Sequence, residues 1–184
     1  MDLIFIIGLI IGLIIVVSIG LYAVIALNLM SYTATSSQNI SPDRTTKGKA
    51  RVVYDPGLSG EAKKAAKDIA EELQSKGYSV DLAGVKSKTT ANTQNYDIII
   101  AGGPMYWGKV SNSIDKYLKT LKPQNNVKLG VFGTTGSSKL HEEDMVSLEK
   151  QVASNLNREV IIKTLRSGEA SKKDIMDFEF DVMR

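Results

Sequence analysis

Between Asp97 and Leu121 the chain reads DIIIAGGPMYWGKVSNSIDKYLKTL, and few folds accommodate that order of residue types. Asp97 to Ala101 is a short apolar run of strand type. It breaks at Gly102-Gly103-Pro104, presents adjacent aromatics at Tyr106 and Trp107, and re-enters an amphipathic helix near Ser111. A buried strand that empties into a glycine loop carrying aromatics is how open α/β folds build a ligand crevice. Glycines let backbone amides approach a planar ligand, and aromatics offer it flat faces. The same residues also suit a tight strand-to-helix connection with two surface aromatics.

The surrounding sequence repeats the strand-then-helix order. Ala50 to Tyr54 is an apolar strand. Ala62, Ala65, Ala66, Ile69, Ala70 and Leu73 then follow helical spacing, and Lys76-Gly77 stops the helix. Tyr78 to Leu82 alternates like a strand, and Gly84 to Tyr96 is polar with at most one degenerate helical turn. After the strand at Asp97, Ser111 or Ser113 caps a helix whose inner face is Ile114, Tyr117, Leu118 and Leu121. Val127 to Gly133 and Glu159 to Leu165 are further strands. Glu142 to Leu156 is a helix with Met145, Leu148 and Val152 on one stripe, and Ser171 opens a last helix with Ile175, Phe178 and Val182 inward. This alternation predicts an α/β fold: a five-stranded parallel sheet, order 2-1-3-4-5, with helices on both faces. Its crevice lies at the carboxyl ends of the first and third strands. The loops there are 55–62 and 101–109.

Composition narrows the chemistry. The chain has no cysteine and a single histidine, His141, which removes thiolate catalysis, cysteine-ligated metal clusters and multi-histidine metal sites. His141 sits with Glu142, Glu143 and Asp144 at the start of a helix, where acids suit the dipole and a solvated first turn is the default. A formal charge of +3 on 184 residues argues against a dedicated nucleic-acid binder.

Leu3 to Met30 carries no charged side chain and exceeds the roughly 20 residues that span a bilayer. Asp2 precedes it and Arg44, Lys47, Lys49 and Arg51 follow, so the positive-inside bias predicts a single-pass anchor with residues 32–184 cytoplasmic. A cleaved signal peptide is the rival reading, but it lacks a basic start and its apolar run is too long. Gly8 and Gly12 have GxxxG spacing, a close-approach face for a homodimer. The expected organisation is an anchor at 1–31, a flexible linker at 32–48 rich in Ser and Thr, and a domain at 49–184. Asn39-Ile40-Ser41 matches a glycosylation acceptor that has no use on a cytoplasmic face.

The first glycine loop, Asp55-Pro56-Gly57-Leu58-Ser59-Gly60-Glu61-Ala62, leads straight into a helix, where successive amides attract an anion such as phosphate. Ser59 either adds a hydroxyl to that site or only caps the helix. The loop is neither a Walker A loop nor a dinucleotide fingerprint. A phosphoacceptor receiver domain shares the strand order, but it needs an aspartate where this chain has Ala101-Gly102. A third loop, Thr134-Thr135-Gly136-Ser137-Ser138, presents amides after the fourth strand.

Residues 49–184 resemble the short-chain flavodoxin family. Gly57-Leu58-Ser59-Gly60-Glu61-Ala62 stands at the family's [ST]-x-T-G-x-T phosphate loop, with Ser59 for the threonine and Gly60 retained. GGPMYWGKVSNSIDKYL is similar to its G-[GS]-P-x-[YW] entry into the third helix. The resemblance implies FMN, with its phosphate on the amides of Leu58 to Ala62. It also implies an isoalloxazine ring between Pro104-Met105-Tyr106-Trp107-Gly108 and Thr134 to Ser138, with Tyr106 or Trp107 stacked on it. Gly57 and Ala62 lack the family's hydroxyls, and Glu61 places a carboxylate beside the anion site. Residues 47–184 carry a net charge of +4, unlike the acidic family. The functions implied are electron transfer between redox protein partners at the membrane, flavin-dependent oxidation or reduction of a quinone or porphyrinogen, or a binding module that has lost FMN.

Overall fold

The computed structural model describes residues 3–43, 45–136, 142–166 and 172–184. The chain runs α1 (Leu3–Thr35), β1 (Ser37–Ile40), β2 (Gly48–Tyr54), α2 (Glu61–Ser75), β3 (Tyr78–Gly84), a 3-10 turn (Lys88–Ala91) and β4 (Ile98–Tyr106). It continues through β5 (Lys109–Val110), α3 (Asn112–Thr120), β6 (Lys128–Thr135), α4 (Glu142–Asn155), β7 (Ile161–Arg166) and α5 (Lys172–Met183).

The five parallel strands lie in the order β3-β2-β4-β6-β7, which is the expected 2-1-3-4-5 arrangement. The sheet has seven strands in all, not five. β1 adds antiparallel to the outer edge of β3, with Ser37 opposite Ala83 and Ile40 opposite Val80, and β5 turns back on the end of β4. The stretch expected as a flexible linker at 32–48 therefore holds the end of α1 and an edge strand. SQNI buries little side chain. It forms because an open β3 edge offers backbone partners, and because Asn39 reaches across the pair to Asp81, donating at 2.7 Å.

Helices cover both faces. On one, α2 and α5 pack Ile69, Leu73, Phe178 and Val182 against Val52, Val80, Ile98 and Ile100. On the other, α3 and α4 pack Ile114, Leu118, Leu148 and Val152 against Val53, Ile99 and Val131. The buried residues of α2 are the six predicted from helical spacing.

β4 is longer than its apolar run. Gly102, Gly103 and Pro104 continue it in register with Phe132, Gly133 and Thr134 of β6. A strand keeps glycine where another group must come close, and a Cβ on Gly102 would overlap the Phe132 ring. The expected loop at 101–109 thus shrinks to the Trp107-Gly108 turn between β4 and β5. His141 and the opening position Ser171 lie outside the described residues.

Glu179 of α5 is fully buried, and its carboxylate accepts from the Lys76 ammonium at 2.9 Å. Burial pushes this carboxyl up to about 7 even though Lys76 acts in the opposite direction. A carboxyl that holds its proton more tightly when folded stabilises the native state most at low pH. Chemical denaturation across pH should therefore show native stability falling between about 4.5 and about 7. Glu179→Gln should flatten that dependence; an unchanged profile in the variant would contradict the assignment.

Candidate functional site at the carboxyl edge of the sheet

Three chain segments meet where β2, β4 and β6 end. The first is the turn between β2 and α2. Gly57 and Gly60 both have left-handed backbones, with φ of 62° and 76°. Gly57 is needed for space as well, because a Cβ there would lie 2.9 Å from Cγ of Pro104. That contact brings the first turn against the end of β4. Gly60 is the residue before α2 and has open space where a Cβ would stand. Ser59 does not cap the helix from that position. Its hydroxyl accepts weakly from the Glu61 amide at 3.4 Å.

Asp55 holds this turn in place. Its carboxylate accepts from the Gly57 amide at 3.1 Å, from Ser111 Oγ at 2.7 Å and from Ser113 Oγ, while its own amide donates to the Gly102 carbonyl at 2.9 Å. Ser111 is the residue preceding α3, but its hydroxyl serves Asp55 and not its own helix. The β2 turn, the end of β4 and the start of α3 are thereby one hydrogen-bonded unit. In the sequence Asp55 is only the opening residue of the first glycine loop. Two serines two positions apart at the start of the third helix, with an acid after the first strand, are the available signal.

The second segment is the β4–β5 turn. Trp107 and Gly108 carry φ of 49° and 72°, the left-handed pair of a tight hairpin. A Cβ on Gly108 would lie 2.9 Å from Asp144 Cα and from Ser147 Cβ, so the hairpin rests on α4. Gln151 clamps it there, accepting from the Val110 amide at 2.9 Å and donating to Asp115 at 3.0 Å. The Lys119 ammonium on Asp115, with Asn155 and Gln151, holds that carboxyl below the usual carboxylate range. The turn so fixed presents Tyr106 half-exposed and Trp107 almost wholly exposed, at 94%.

The third segment is Thr135-Gly136, at the end of β6. Thr134 is buried, and Gly136 is open.

Of the residues expected at the site, the structure gathers Gly57, Leu58, Ser59, Gly60, Glu61, Tyr106, Trp107, Thr135 and Gly136 at this edge. Pro104 serves as the floor under Gly57. Ala62 is buried with the inward face of α2, leaving its amide as the group it can offer. Met105 packs on Gly133 and the α3–α4 core, because its side chain falls on the opposite side of the strand from Tyr106. Ser137 and Ser138 lie outside the described residues.

A concavity of about 1000 Å³ lies at the other end of the strands, between Lys128, Asn155, Arg158, Asp181 and Arg184. It opens where β6 begins, away from the crossover point and the glycine turns. The carboxyl edge is therefore the better candidate.

The family model described as "Flavodoxin domain" matches residues 57–176, more than half of the chain. The chain belongs to the flavodoxin domain family. An uncharacterized protein of Methanocaldococcus jannaschii is 33% identical over 100 residues, 52% of this chain and 62% of its own length. The chain thus spans less than two thirds of that relative. Among solved structures, a flavodoxin from the domain Archaea is similar with a TM-score of 0.53 at 18% identity, over 74% of this chain and 99% of the other. Oxidised flavodoxin 2 from Bacillus cereus scores 0.52 at 19% identity, over 73% and 95%. An apo NADH:FMN oxidoreductase scores 0.53 at 12% identity, over 73% and 90%. At these identities the likeness is one of fold.

Within a flavodoxin fold, the groups at this edge bear on whether it suits FMN. The Gly57–Gly60 turn leaves room at Gly60 and delivers the first amides of α2, which lack partners within the helix. Exposed Lys63 and Lys64 follow within one turn. These features suit an anionic group held by backbone. The exposed aromatics of the hairpin suit a planar ring. Side-chain donors to a phosphate are reduced to Ser59, and half-buried Glu61 adds a negative charge. The residues fit the group, whose phosphate would rest mainly on backbone amides.

Gly57→Ala should destabilise the domain by about 1–3 kcal/mol, since it combines a left-handed backbone with a clash against Pro104. Gly60→Ala meets no neighbour and should cost about 1 kcal/mol through its backbone alone. Urea denaturation of both variants checks the order; equal losses would contradict the packing of the first turn on β4.

Proposed function

We propose that the protein is a membrane-anchored flavodoxin that holds FMN at the carboxyl edge of its sheet and passes electrons between redox proteins at the cytoplasmic face. The observation that carries this reading is the meeting of a left-handed glycine turn with an exposed aromatic hairpin, at the crossover point of a flavodoxin fold. The helix Phe5–Leu27, long and apolar enough to span a bilayer, supports the anchor.

FMN, when bound, supplies the electron-accepting ring; the chain supplies its setting. The amides from Leu58 to Ala62 bind the phosphate, helped by the positive end of α2. Tyr106 or Trp107 covers the ring and excludes water, which makes charge on a reduced ring more costly. Gln151 and Asp115 keep the hairpin that carries these aromatics in position. The net charge of +4 on residues 47–184 gives no acidic steering surface. The tether replaces steering with local concentration near membrane partners.

Glu61, with Gly57 and Ala62, favours a second reading in which the fold is kept as a binding module without FMN. Adding FMN to the purified chain separates the two. Uptake with visible flavin absorbance and quenched flavin fluorescence supports the cofactor, and a chain that takes up none supports the module. Glu61→Thr removes a carboxylate near the phosphate and should tighten FMN roughly 3- to 10-fold, if the repulsion amounts to about 1 kcal/mol. Unchanged or weaker affinity by fluorescence titration would contradict the repulsion.

A further inference from the structure

The long apolar helix does not reach the domain through a slack connection. Thr33 and Ala34, in its last turn, are buried. The Gly84 amide donates to the Ser36 carbonyl and the Lys86 amide to the Ala34 carbonyl, both at 2.8 Å. The Tyr54 hydroxyl donates to the Thr33 carbonyl at 3.1 Å and lies 3.0 Å from the Ser36 hydroxyl. Gly84 lacks a side chain where a Cβ would overlap the Ala34 carbonyl. Tyr54 and Gly84 end β2 and β3, so the helix is fastened to the carboxyl edge, next to the turn that begins at Asp55. β1 then runs back along β3 from that edge, antiparallel to it.

The apolar span ends at Leu27, and none of it is buried against the domain. Six residues of helix from Leu27 to Thr33 rise about 9 Å. A headgroup layer is roughly 5–7 Å deep. A bilayer around α1 therefore brings its headgroups to the carboxyl edge. That edge exposes Leu58 at 74% and Trp107 at 94%, with Tyr106 half-exposed beside it. Exposed Lys86, Lys88 and Lys109 stand at the same end, following β3 or opening β5. Among the described residues the acids of that end are Asp55, bound by Ser111 and Ser113, and those in the first turns of the helices: Glu61 of α2, Asp115 of α3, Glu142, Glu143 and Asp144 of α4, and Asp174 of α5. The α4 acids flank the hairpin, with Asp144 beside Gly108, on the side of it that strand order places away from α1.

We infer that the carboxyl edge of the sheet seats on the bilayer that α1 spans, with Trp107 and Leu58 in its interfacial layer and the lysines on anionic headgroups. Tryptophan suits that layer because its ring is apolar and its N–H is polar. Each lysine near an anionic leaflet adds electrostatic attraction. The inference rests on the anchor reading of α1 and not on FMN. It assigns Trp107 to lipid and leaves Tyr106 to cover the crevice. Redox partners then reach the crevice along the membrane surface.

Trp107 is the sole tryptophan of the chain. The full chain, reconstituted in phosphatidylcholine–phosphatidylglycerol vesicles at fixed flavin content, should float with them. Its emission should be blue-shifted, be lost to lipids brominated high on the acyl chain, and resist aqueous acrylamide. Inserting a flexible Gly-Ser segment between Met30 and Ser31 keeps the docked residues but frees the domain, and should restore acrylamide access and abolish bromolipid quenching. A chain that floats with water-like Trp107 emission overturns the seating and spares the anchor, whereas bromolipid quenching that persists after the insertion supports the seating and overturns only its dependence on the rigid junction. A chain that does not float overturns both.

Discussion

The arrangement of the molecule depends on the docking of the end of α1 against the ends of β2 and β3. Carbonyls of Thr33, Ala34 and Ser36 accept from Tyr54, Lys86 and Gly84. These acceptors come from the last turn of a helix and the residue after it, where carbonyls lack helical partners. The domain thus satisfies polar groups that would otherwise need water. The same contacts cover the far end of β3 and start the chain along its open edge as β1. The apolar helix, the sheet edge and the first glycine turn are joined within a few residues of Tyr54.

The crevice shows a second layer of the same economy. Asp55, Gly57 and Pro104 bind the first turn to the end of β4. Gln151 and Asp115 bind the hairpin to α3 and α4. Aromatic and glycine groups that face solvent are therefore held by buried or half-buried partners beneath them. Preorganised groups lose less freedom when a ligand arrives, which suits a site that relies on backbone amides more than on side-chain donors.

Much of this was legible in the sequence, and the remainder was hidden for definite reasons. The α2 stripe and the inner faces of α3 and α5 follow 3.6-residue spacing, because they bury against a flat sheet. β1 was not legible: Ser37–Ile40 is mostly polar and exposed, and its strand state comes from a backbone edge supplied by residues forty or more positions away. Gly102-Gly103 read as a loop because glycine usually breaks strands. Here it extends β4 since the Phe132 ring occupies the space of a side chain. The glycine turns of the candidate site and the inward turn of Ala62 were visible, whereas that of Met105 follows from strand alternation carried on past Gly102-Gly103. The docking of Thr33 to Ser36 had no local signature, since it joins a polar, Ser- and Thr-rich stretch to a tyrosine and a glycine that each look ordinary alone.

Amide hydrogen exchange of the full chain in lipid nanodiscs reads out the docked helix end residue by residue. The amides of Gly84 and Lys86, bonded to the Ser36 and Ala34 carbonyls, should exchange as slowly as those of Val52 and Ile100 in the middle of the sheet. Exchange at Gly84 and Lys86 as fast as at the exposed Gln94 would contradict a fixed junction and return residues 32–48 to a flexible tether.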